Sequence, residues 1–318
     1  MRQNTFNKVL VTGASGFVGK VLCDTLRRRG ISTVPAVRFR KTEEQFETGD
    51  LQKSIDWSSA LAGCDVVIHL AARVHVMNCH SRDSQRQYRQ INVDATIDLA
   101  RQAVAAGVRR FVYVSSIKVN GERTDLTPFL STDVPAPEDD YGISKLMAEQ
   151  ALSSLASLTG LECVIVRPPL VYGPGVGANF YSLMKLIALG LPLPFGSINN
   201  NRRSLVSVHN LVDLLIRCCE HPRAAGQTFL VSDGEDLSTC GLVRVLSEGM
   251  NKHPFLLPVP ASLIAAIARI AGMKQAAERL LSSLQVDISP TRSYLDWEPP
   301  IRTYPALIET AQEFLRNR

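Results

Sequence analysis

The stretch Lys8–Gly19, which reads KVLVTGASGFVG, decides the fold of this chain. Its first residues, Lys8–Val11, are mostly apolar and β-branched, which predicts a short buried strand. That strand runs into Gly13, Gly16 and Gly19, three glycines that stand three residues apart. Glycine lets the backbone turn sharply and lets a ligand approach without meeting a Cβ atom. The stretch therefore predicts a strand that ends in a tight, open turn.

A helix is predicted directly after the glycines. Val18, Leu22 and Leu26 recur at helical spacing, and Gly30 ends the pattern. The free N–H groups and the positive dipole end at the start of such a helix attract an anion. Strand, turn and helix together predict a pyrophosphate-binding site, although the glycine pattern alone also suits a turn that holds no ligand.

Strands and helices alternate through the first half of the chain. The later strands are predicted at Ser32–Val37, Asp65–Ala71, Phe111–Ser115 and Cys163–Arg167, and helices at Ile91–Ala103 and Gly142–Leu158. Strands that are apolar throughout and separated by helices indicate a parallel sheet covered on both faces. Ligands bind such sheets beyond the carboxyl ends of the strands. The expected fold class is therefore α/β, a doubly wound parallel sheet.

The pattern changes after about residue 170, where glycine and proline become frequent. The remaining predictions are helices at Asn210–Glu220, Ser238–Met250, Ala261–Ile270 and Tyr304–Arg316 and one strand at Thr228–Val231. We divide the chain into a first domain, residues 1–170, and a smaller, mostly helical lobe, residues 171–318. A return strand near 228–232 is expected to rejoin the first domain.

Composition excludes several classes of protein. The 318 residues are 45% hydrophobic and 20% charged with a formal charge of +5, and no long basic tract is present, so neither disorder nor nucleic-acid binding is expected. Seven cysteines without a CxxC pair suggest free thiols in a reducing compartment, and no Cys/His cluster suggests a metal. The first strand starts too early for a signal peptide. We expect a cytoplasmic protein.

The longest apolar run, Pro258–Met273, contains Arg269 and is too short to span a bilayer. An amphipathic helix on the substrate side is the expected structure, without membrane insertion.

A candidate catalytic pair stands at the start of a predicted helix. Tyr141 and Lys145 lie four residues apart and therefore on one helix face, and Ser115 and Ser116 end a strand upstream. A nearby ammonium favours a phenolate, so Lys145 is expected to lower the pKa of Tyr141 from about 10 towards neutrality. Tyr141 would then serve as a general acid or base at a hydroxyl or ketone, with a serine holding the same oxygen. A surface tyrosine and lysine with no such role also match this spacing.

The motifs together resemble the extended short-chain dehydrogenase/reductases, in particular the NAD(P)-dependent sugar-nucleotide epimerases, dehydratases and reductases. The matching segments span nearly the whole chain: TGASGFVG at 12–19, HLAA at 69–72, INVDAT at 91–96, VSS at 114–116, YGISK at 141–145, RPPLVYGPG at 167–175 and WEP at 297–299. The resemblance implies a Rossmann-type dinucleotide-binding domain, a nucleotide-sugar-binding lobe and a UDP-sugar substrate. Such proteins often dimerise, so a homodimer is expected.

The same resemblance assigns roles to individual residues. Ser116, Tyr141 and Lys145 match the catalytic set, and Lys145 also binds the nicotinamide ribose. The residues implied in cofactor binding are Gly13, Ser15, Gly16, Phe17, Val18, Gly19, Arg38, Asp50, Leu51, Leu70, Ala71, Ala72, Asn92, Tyr141, Lys145 and Pro168. Asp50 and Leu51 flank the adenine. The residues implied in substrate binding are Arg73, Ser116, Asn179 and Arg203, of which the last two hold the diphosphate.

Four residues depart from the family pattern. Ile117 and Lys118 stand where the dehydratases carry an Asp-Glu pair, which disfavours dehydration. Leu170 replaces an asparagine that many epimerases place near the substrate phosphates, and Asn210 replaces a frequent aspartate. The missing acidic pair and Leu170 favour a reductase over a dehydratase or an epimerase, whereas the Asn210 departure has no clear functional meaning.

The end of the second strand bears on cofactor choice. An acidic residue there binds the ribose hydroxyls of NAD, whereas arginine suits a 2′-phosphate. This chain reads VPAVRFRK, with Arg38, Arg40 and Lys41 and no acidic residue. NADP(H) is favoured and NAD(H) is possible, since an ordinary basic surface turn has the same composition.

Three functions follow from these residues. The first is NAD(P)H-dependent reduction of the C4 ketone of a UDP-4-keto-6-deoxy-(N-acetyl)hexosamine for bacterial surface polysaccharide. The alternative is a UDP-hexose or UDP-N-acetylhexosamine 4-epimerase with bound NAD. A dinucleotide sensor without catalysis is the third, and an intact Ser116, Tyr141 and Lys145 set argues against it.

Overall fold

A seven-stranded parallel sheet forms the centre of the protein. The computed structural model describes residues 6–74, 82–272 and 274–317. Its main-sheet strands are β1 (Lys8–Thr12), β2 (Ser32–Val37), β3 (Phe46–Glu47), β4 (Val66–His69), β5 (Arg110–Val114), β6 (Glu162–Arg167) and β9 (Thr228–Leu230). They lie in the order β3-β2-β1-β4-β5-β6-β9. The chain thus winds outward from β1 in both directions, which confirms the predicted doubly wound Rossmann-type fold.

Both faces of the sheet are covered by helices. The helices are α1 (Phe17–Arg28), α2 (Ser58–Leu61), α3 (Arg82–Tyr88), α4 (Ala95–Ala105), α5 (Asp140–Thr159), α6 (Ala178–Ala188), α7 (Val208–Glu220), α8 (Thr239–Gly249), α9 (Ala261–Ile270), α10 (Lys274–Leu281), α11 (Ser289–Leu295) and α12 (Thr303–Arg316). Within β1, Val9 and Val11 pack on the face covered by α1 and α7, whereas Leu10 packs on the face covered by α4 and α5. Burial on both sides explains why the strands are apolar throughout.

A π-helical turn, Arg89–Asp94, joins α3 to α4. The predicted helix over 91–103 is therefore the second part of a longer helical segment. Asn92, which the turn carries, is buried and faces the carboxyl ends of the strands. Such wide turns are frequent at functional sites.

The lobe contains a small second sheet that the sequence analysis did not predict. Strands β7 (Leu170–Tyr172) and β8 (Leu205–Ser207) pair in parallel. Each has three residues, and they are separated by the glycine- and proline-rich segment, so neither shows a readable alternation. The predicted boundary at residue 170 stays a prediction, but α7 and β9 lie beyond it and pack into the main sheet.

Two further expectations concern the cysteines and the apolar run. The six described cysteines are buried and free, as expected, while Cys79 lies outside the described residues. Helix α9 forms where predicted, but none of its residues is buried. Across the described residues, no helix is long and apolar enough to cross a membrane.

Candidate active site

The glycine turn between β1 and α1 has no room for side chains. Gly13 has a φ of +67°, and a Cβ there would lie 2.9 Å from the Ala71 nitrogen. A Cβ on Gly19 would lie 2.2 Å from the Gly13 oxygen. Gly16, the N-cap of α1, offers no capping side chain, so the first N–H groups of the helix remain available to a ligand. The tight turn and the uncapped helix start that the sequence predicts are both present, and phosphate binding there stays a prediction.

A cavity of about 690 Å³ opens above this turn, at the point where the strand order reverses. Residues that follow β1, β2, β4, β5 and β6 line it. The residues predicted from sequence that line it are Gly13, Ser15, Gly16, Phe17, Val18, Gly19, Arg38, Leu51, Leu70, Ala71, Ala72, Ser116, Tyr141, Lys145 and Pro168. No aspartate or glutamate is among the described residues that line the cavity, so Arg38 and Lys145 give it a basic character.

Two predicted cofactor residues lie outside the cavity lining. Asp50 is exposed, and its carboxylate accepts a hydrogen bond from the Gln52 backbone. Asn92 is buried and makes a two-way bond with Arg73, accepting from its nitrogen at 2.7 Å and donating to its oxygen at 3.0 Å. Asn92 also donates to Ser144 on α5. It therefore holds the segment after β4 against α5.

The predicted diphosphate residues lie in the lobe, away from the cavity lining. Asn179 is exposed in the first turn of α6. Arg203 is half-buried and donates to the Ser282 backbone oxygen at 3.1 Å. Burial, helped by the charge of Arg279, lowers the pKa of Arg203 to about 10, so it remains a cation at neutral pH.

Tyr141 and Lys145 occupy the first turns of α5, and Asp139 caps this helix by accepting from the Gly142 nitrogen at 2.7 Å. The Lys145 ammonium is buried, donates to the Val114 oxygen at 2.7 Å and lies 4.3 Å from the centre of the Tyr113 ring. Burial lowers the pKa of Lys145 to about 7, against the charge of Glu149, which raises it.

The expectation that Lys145 lowers the pKa of Tyr141 is wrong for this structure. Burial and the charge of Asp139 raise the pKa of Tyr141 well above 10, and only a hydrogen bond with Ser116 opposes them. The spacing of Tyr141 and Lys145 predicts a shared helix face correctly, but not how strongly burial disfavours a phenolate. Tyr141 is therefore a protonated donor at rest.

Glu149 continues the same helix face one turn beyond Lys145. Its carboxylate accepts from Arg167 Nε at 3.0 Å and Nη2 at 2.6 Å, and both side chains are buried. Arg167 also donates to Asn120 Oδ1 at 3.0 Å. The bidentate geometry satisfies two buried charges one helical turn beyond Lys145.

A histidine network that sequence reasoning missed fixes the edge of the cavity. Thr12 Oγ1 accepts from the backbone nitrogens of Leu70 and Ala71 at 3.2 Å each, which ends β4 two residues before the predicted strand end. Since Thr12 already accepts twice, its own proton goes to His69 Nδ1, 2.7 Å away. The ring proton of His69 must then lie on Nε2.

His69 Nε2 donates to Thr96 Oγ1 at 3.0 Å, and Thr96 donates to the Asn92 oxygen at 2.9 Å. Burial, with a contribution from the charge of Lys145, lowers the pKa of His69 to about 3. The histidine is therefore neutral at physiological pH, and its hydrogen bonds connect the glycine turn to Asn92 through Thr96. The HLAA motif was the available signal, but only the fold shows what its histidine contacts.

The ammonium group of Lys118 forms two ion pairs. The Lys118 ammonium donates to Glu122 Oε1 at 2.6 Å and to Asp139. Its charge strengthens the capping carboxylate of α5 and leaves no acid at that position. No group of metal-binding side chains occurs among the residues that the structure describes.

A family model described as "NAD dependent epimerase/dehydratase family" matches residues 9–232. A protein of Vibrio cholerae named UDP-glucose 4-epimerase is 47% identical over 313 residues, which cover 97% of this chain and 95% of that protein.

Two solved structures share the fold. UDP-glucuronic acid 4-epimerase from Bacillus cereus in complex with NAD aligns with a TM-score of 0.80 at 20% identity, over 98% of this chain and 99% of that chain. RMD from Pseudomonas aeruginosa complexed with NADPH aligns with a TM-score of 0.75 at 22% identity, over 98% of this chain and 100% of that chain.

Proposed function

The chain belongs to the NAD dependent epimerase/dehydratase family, and we propose that it is a 4-epimerase of a UDP-linked hexose or N-acetylhexosamine that retains its NAD. The observation that carries the proposal is that Ser116, Tyr141 and Lys145 border the same cavity as the glycine turn. The name of the Vibrio cholerae relative supports 4-epimerisation better than the reductase reading that the departures favoured.

The residues around the cavity fit a dinucleotide. Gly13 and Gly19 leave a cradle that any Cβ would fill, and the start of α1 is free to bind a pyrophosphate. Ser115 Oγ is buried at the cavity wall and makes no hydrogen bond within the described part of the chain. A ligand hydroxyl or amide would satisfy it. The volume lies within the range usual for cofactor sites.

The catalytic side chains would move one proton. Bound NAD supplies the chemistry of removing a hydride from sugar C4 and returning it to the other face of the ketone. Tyr141 would exchange the proton of the C4 hydroxyl, and Ser116, its hydrogen-bond partner, would hold the same oxygen. Lys145 would supply positive charge beside Tyr141, and its pKa near 7 makes that charge responsive to pH.

The lobe would provide the substrate contacts. Arg203 is a half-buried cation, and Asn179 lies at the start of α6. Both side chains are proposed to hold the diphosphate of the UDP-sugar. We also propose that the protein forms a homodimer.

Reduction of a 4-keto sugar is the second candidate, because Arg38 lines the cavity at the end of β2 and no carboxylate among the described lining residues offsets it. Such a site suits the 2′-phosphate of NADP(H). A reductase must exchange its cofactor after each turnover, whereas an epimerase returns the hydride and can keep it.

The test separates the two reactions. Purified protein is denatured to identify any released dinucleotide, then native protein is given UDP-glucose or UDP-N-acetylglucosamine without added cofactor. Formation of the C4 epimer supports the proposal, and Tyr141→Phe is the inactive control. Oxidation of added NADPH only with a UDP-4-keto-6-deoxyhexosamine, without epimer formation, would establish the reductase instead.

A further inference from the structure

Helix α9 and the loop before it present apolar side chains to solvent. Leu263, Ile267 and Ile270 follow one another at helical spacing and are 51%, 58% and 88% exposed. Ile264, on the adjoining side of the helix, packs on the core of the lobe. Phe255 in the preceding loop is 60% exposed. Helix α9 therefore has an inner contact and a second, outward apolar stripe.

The apolar surface continues onto a neighbouring segment. Leu193 donates its N–H to the Phe255 oxygen and accepts from the Leu257 nitrogen, each at 2.8 Å. This pairing brings the end of the α6 loop beside the loop before α9. We define the basic apolar face as the exposed residues Leu191, Phe255, Leu257, Leu263, Ile267 and Ile270. Monomeric proteins rarely leave such a contiguous set without a partner.

The chain that builds the basic apolar face carries no negative charge over long stretches. The sequence has no aspartate or glutamate from Pro168 to Val212 or from Gly249 to Ala277. The first stretch contains Lys185, Arg202 and Arg203, and the second contains Lys252, Arg269 and Lys274. Glu278 lies just beyond, against Arg269 in a small cleft between α9 and α10.

We propose that the basic apolar face docks this protein on the surface of an anionic phospholipid bilayer. An outward apolar stripe on a segment that carries cations and no acidic residue is the pattern of helices that lie in the membrane interface, and anionic headgroups attract each added Lys or Arg. A second copy of the chain is a poorer occupant, because it would bring like charges together across the contact. The diphosphate of a sugar nucleotide accounts for Arg203 but not for the exposed leucine and isoleucine stripe.

The proposal does not depend on the sugar or the reaction. The full chain is mixed with vesicles of phosphatidylcholine and with vesicles of equal parts phosphatidylcholine and phosphatidylglycerol, and bound protein is measured by flotation. We expect binding to the anionic vesicles, at least tenfold weaker binding to neutral ones, and loss of binding as salt rises. Ile267→Glu and Ile270→Glu should each reduce binding several-fold.

Leu158→Glu is the matched control, because Leu158 is 85% exposed near the end of α5, outside the basic apolar face. All three variants should keep the wild-type unfolding temperature and the activity on a UDP-sugar in solution, so that a failure of the proposed reaction is visible separately. Absence of binding to anionic vesicles, or binding that the two isoleucine variants leave unchanged, overturns the proposal. Conversion of a dimer to a monomer by Ile270→Glu, measured by light scattering, would assign the face to a second copy instead.

Discussion

The sheet side of the candidate cavity and the lobe residues proposed to hold the substrate differ in how tightly they are built. On the sheet side, backbone atoms enclose Gly13 and Gly19, and every polar side-chain atom of the Thr12–His69–Thr96 chain has a partner. On the lobe side, Asn179 is exposed and Arg203 makes one contact to a backbone oxygen. The sheet side is preformed and closely packed, whereas polar groups on the lobe side can still bind a ligand.

This difference predicts that the sheet side binds the cofactor and that the lobe residues bind the substrate. A prebuilt wall suits a cofactor that stays bound, because no ordering cost recurs in each cycle. Sparse, partly exposed cations suit a substrate that must enter and leave. Substitutions on the sheet side should therefore damage stability and cofactor retention, and those on the lobe side should change substrate affinity.

The largest effect is expected from Tyr141→Phe. Loss of the hydroxyl removes the proposed proton donor and acceptor and should lower the turnover rate about 100- to 10 000-fold. Cofactor content and folding should not change, since the ring remains. Tyr181→Phe, on an exposed tyrosine of the lobe, is the control and should keep full activity. Equal rates for the two variants would remove Tyr141 from the mechanism.

Gly19→Ala tests directly whether the close packing of the sheet side is needed for stability and cofactor binding. Its Cβ would meet the Gly13 oxygen at 2.2 Å, and neither backbone can yield, so the free energy of unfolding should fall by about 2 to 3 kcal/mol and bound dinucleotide should be lost. The matched change on the lobe is Gly177→Ala, where no atom lies within 4 Å of the added carbon and the cost should stay below about 1 kcal/mol. Chemical denaturation and nucleotide release measure both. Similar losses in the two variants would contradict the contrast.

The burial of Lys145 predicts a pH dependence of stability. With its pKa near 7 in the folded protein and 10.5 as the ordinary value, the unfolded chain binds a proton that the folded protein lacks in this window. Stability contributed by this site therefore rises with pH, by about 2 kcal/mol from roughly pH 7 to 9. Lys145→Met should lack that rise, so the difference between the two unfolding curves isolates it from the buried thiols. Parallel curves would show that the lysine is charged in both states.

The smallest effect is expected on the lobe. Arg203→Gln removes a half-buried cation and should raise the KM for the UDP-sugar about tenfold, with cofactor content unchanged. Arg202→Gln is the neighbouring control, because Arg202 is exposed and donates to the Asn199 oxygen. A loss of bound dinucleotide in Arg203→Gln would show that the lobe also binds the cofactor, which would contradict the separate roles of the sheet side and the lobe.

Local sequence determined what could be predicted. The β1 turn and the Tyr141–Lys145 pair were predictable because each depends on residues a few positions apart. The second sheet, the role of His69 and the direction of the Tyr141 pKa were not, because each depends on burial or on partners far along the chain. Asp50 and Asn92 were placed by motif resemblance, which identifies a segment but not the side chain that faces a cavity.

The π-helical turn at Arg89–Asp94 has a consequence for insertions and deletions. Because each helical residue advances the chain by about 100°, removing one residue here would rotate α3 relative to α4 by that angle. Asn92 would then lose either Arg73 or Ser144. The number of residues between α3 and α4 therefore fixes the direction of the Asn92 side chain, so this turn cannot tolerate the length changes that surface loops accept.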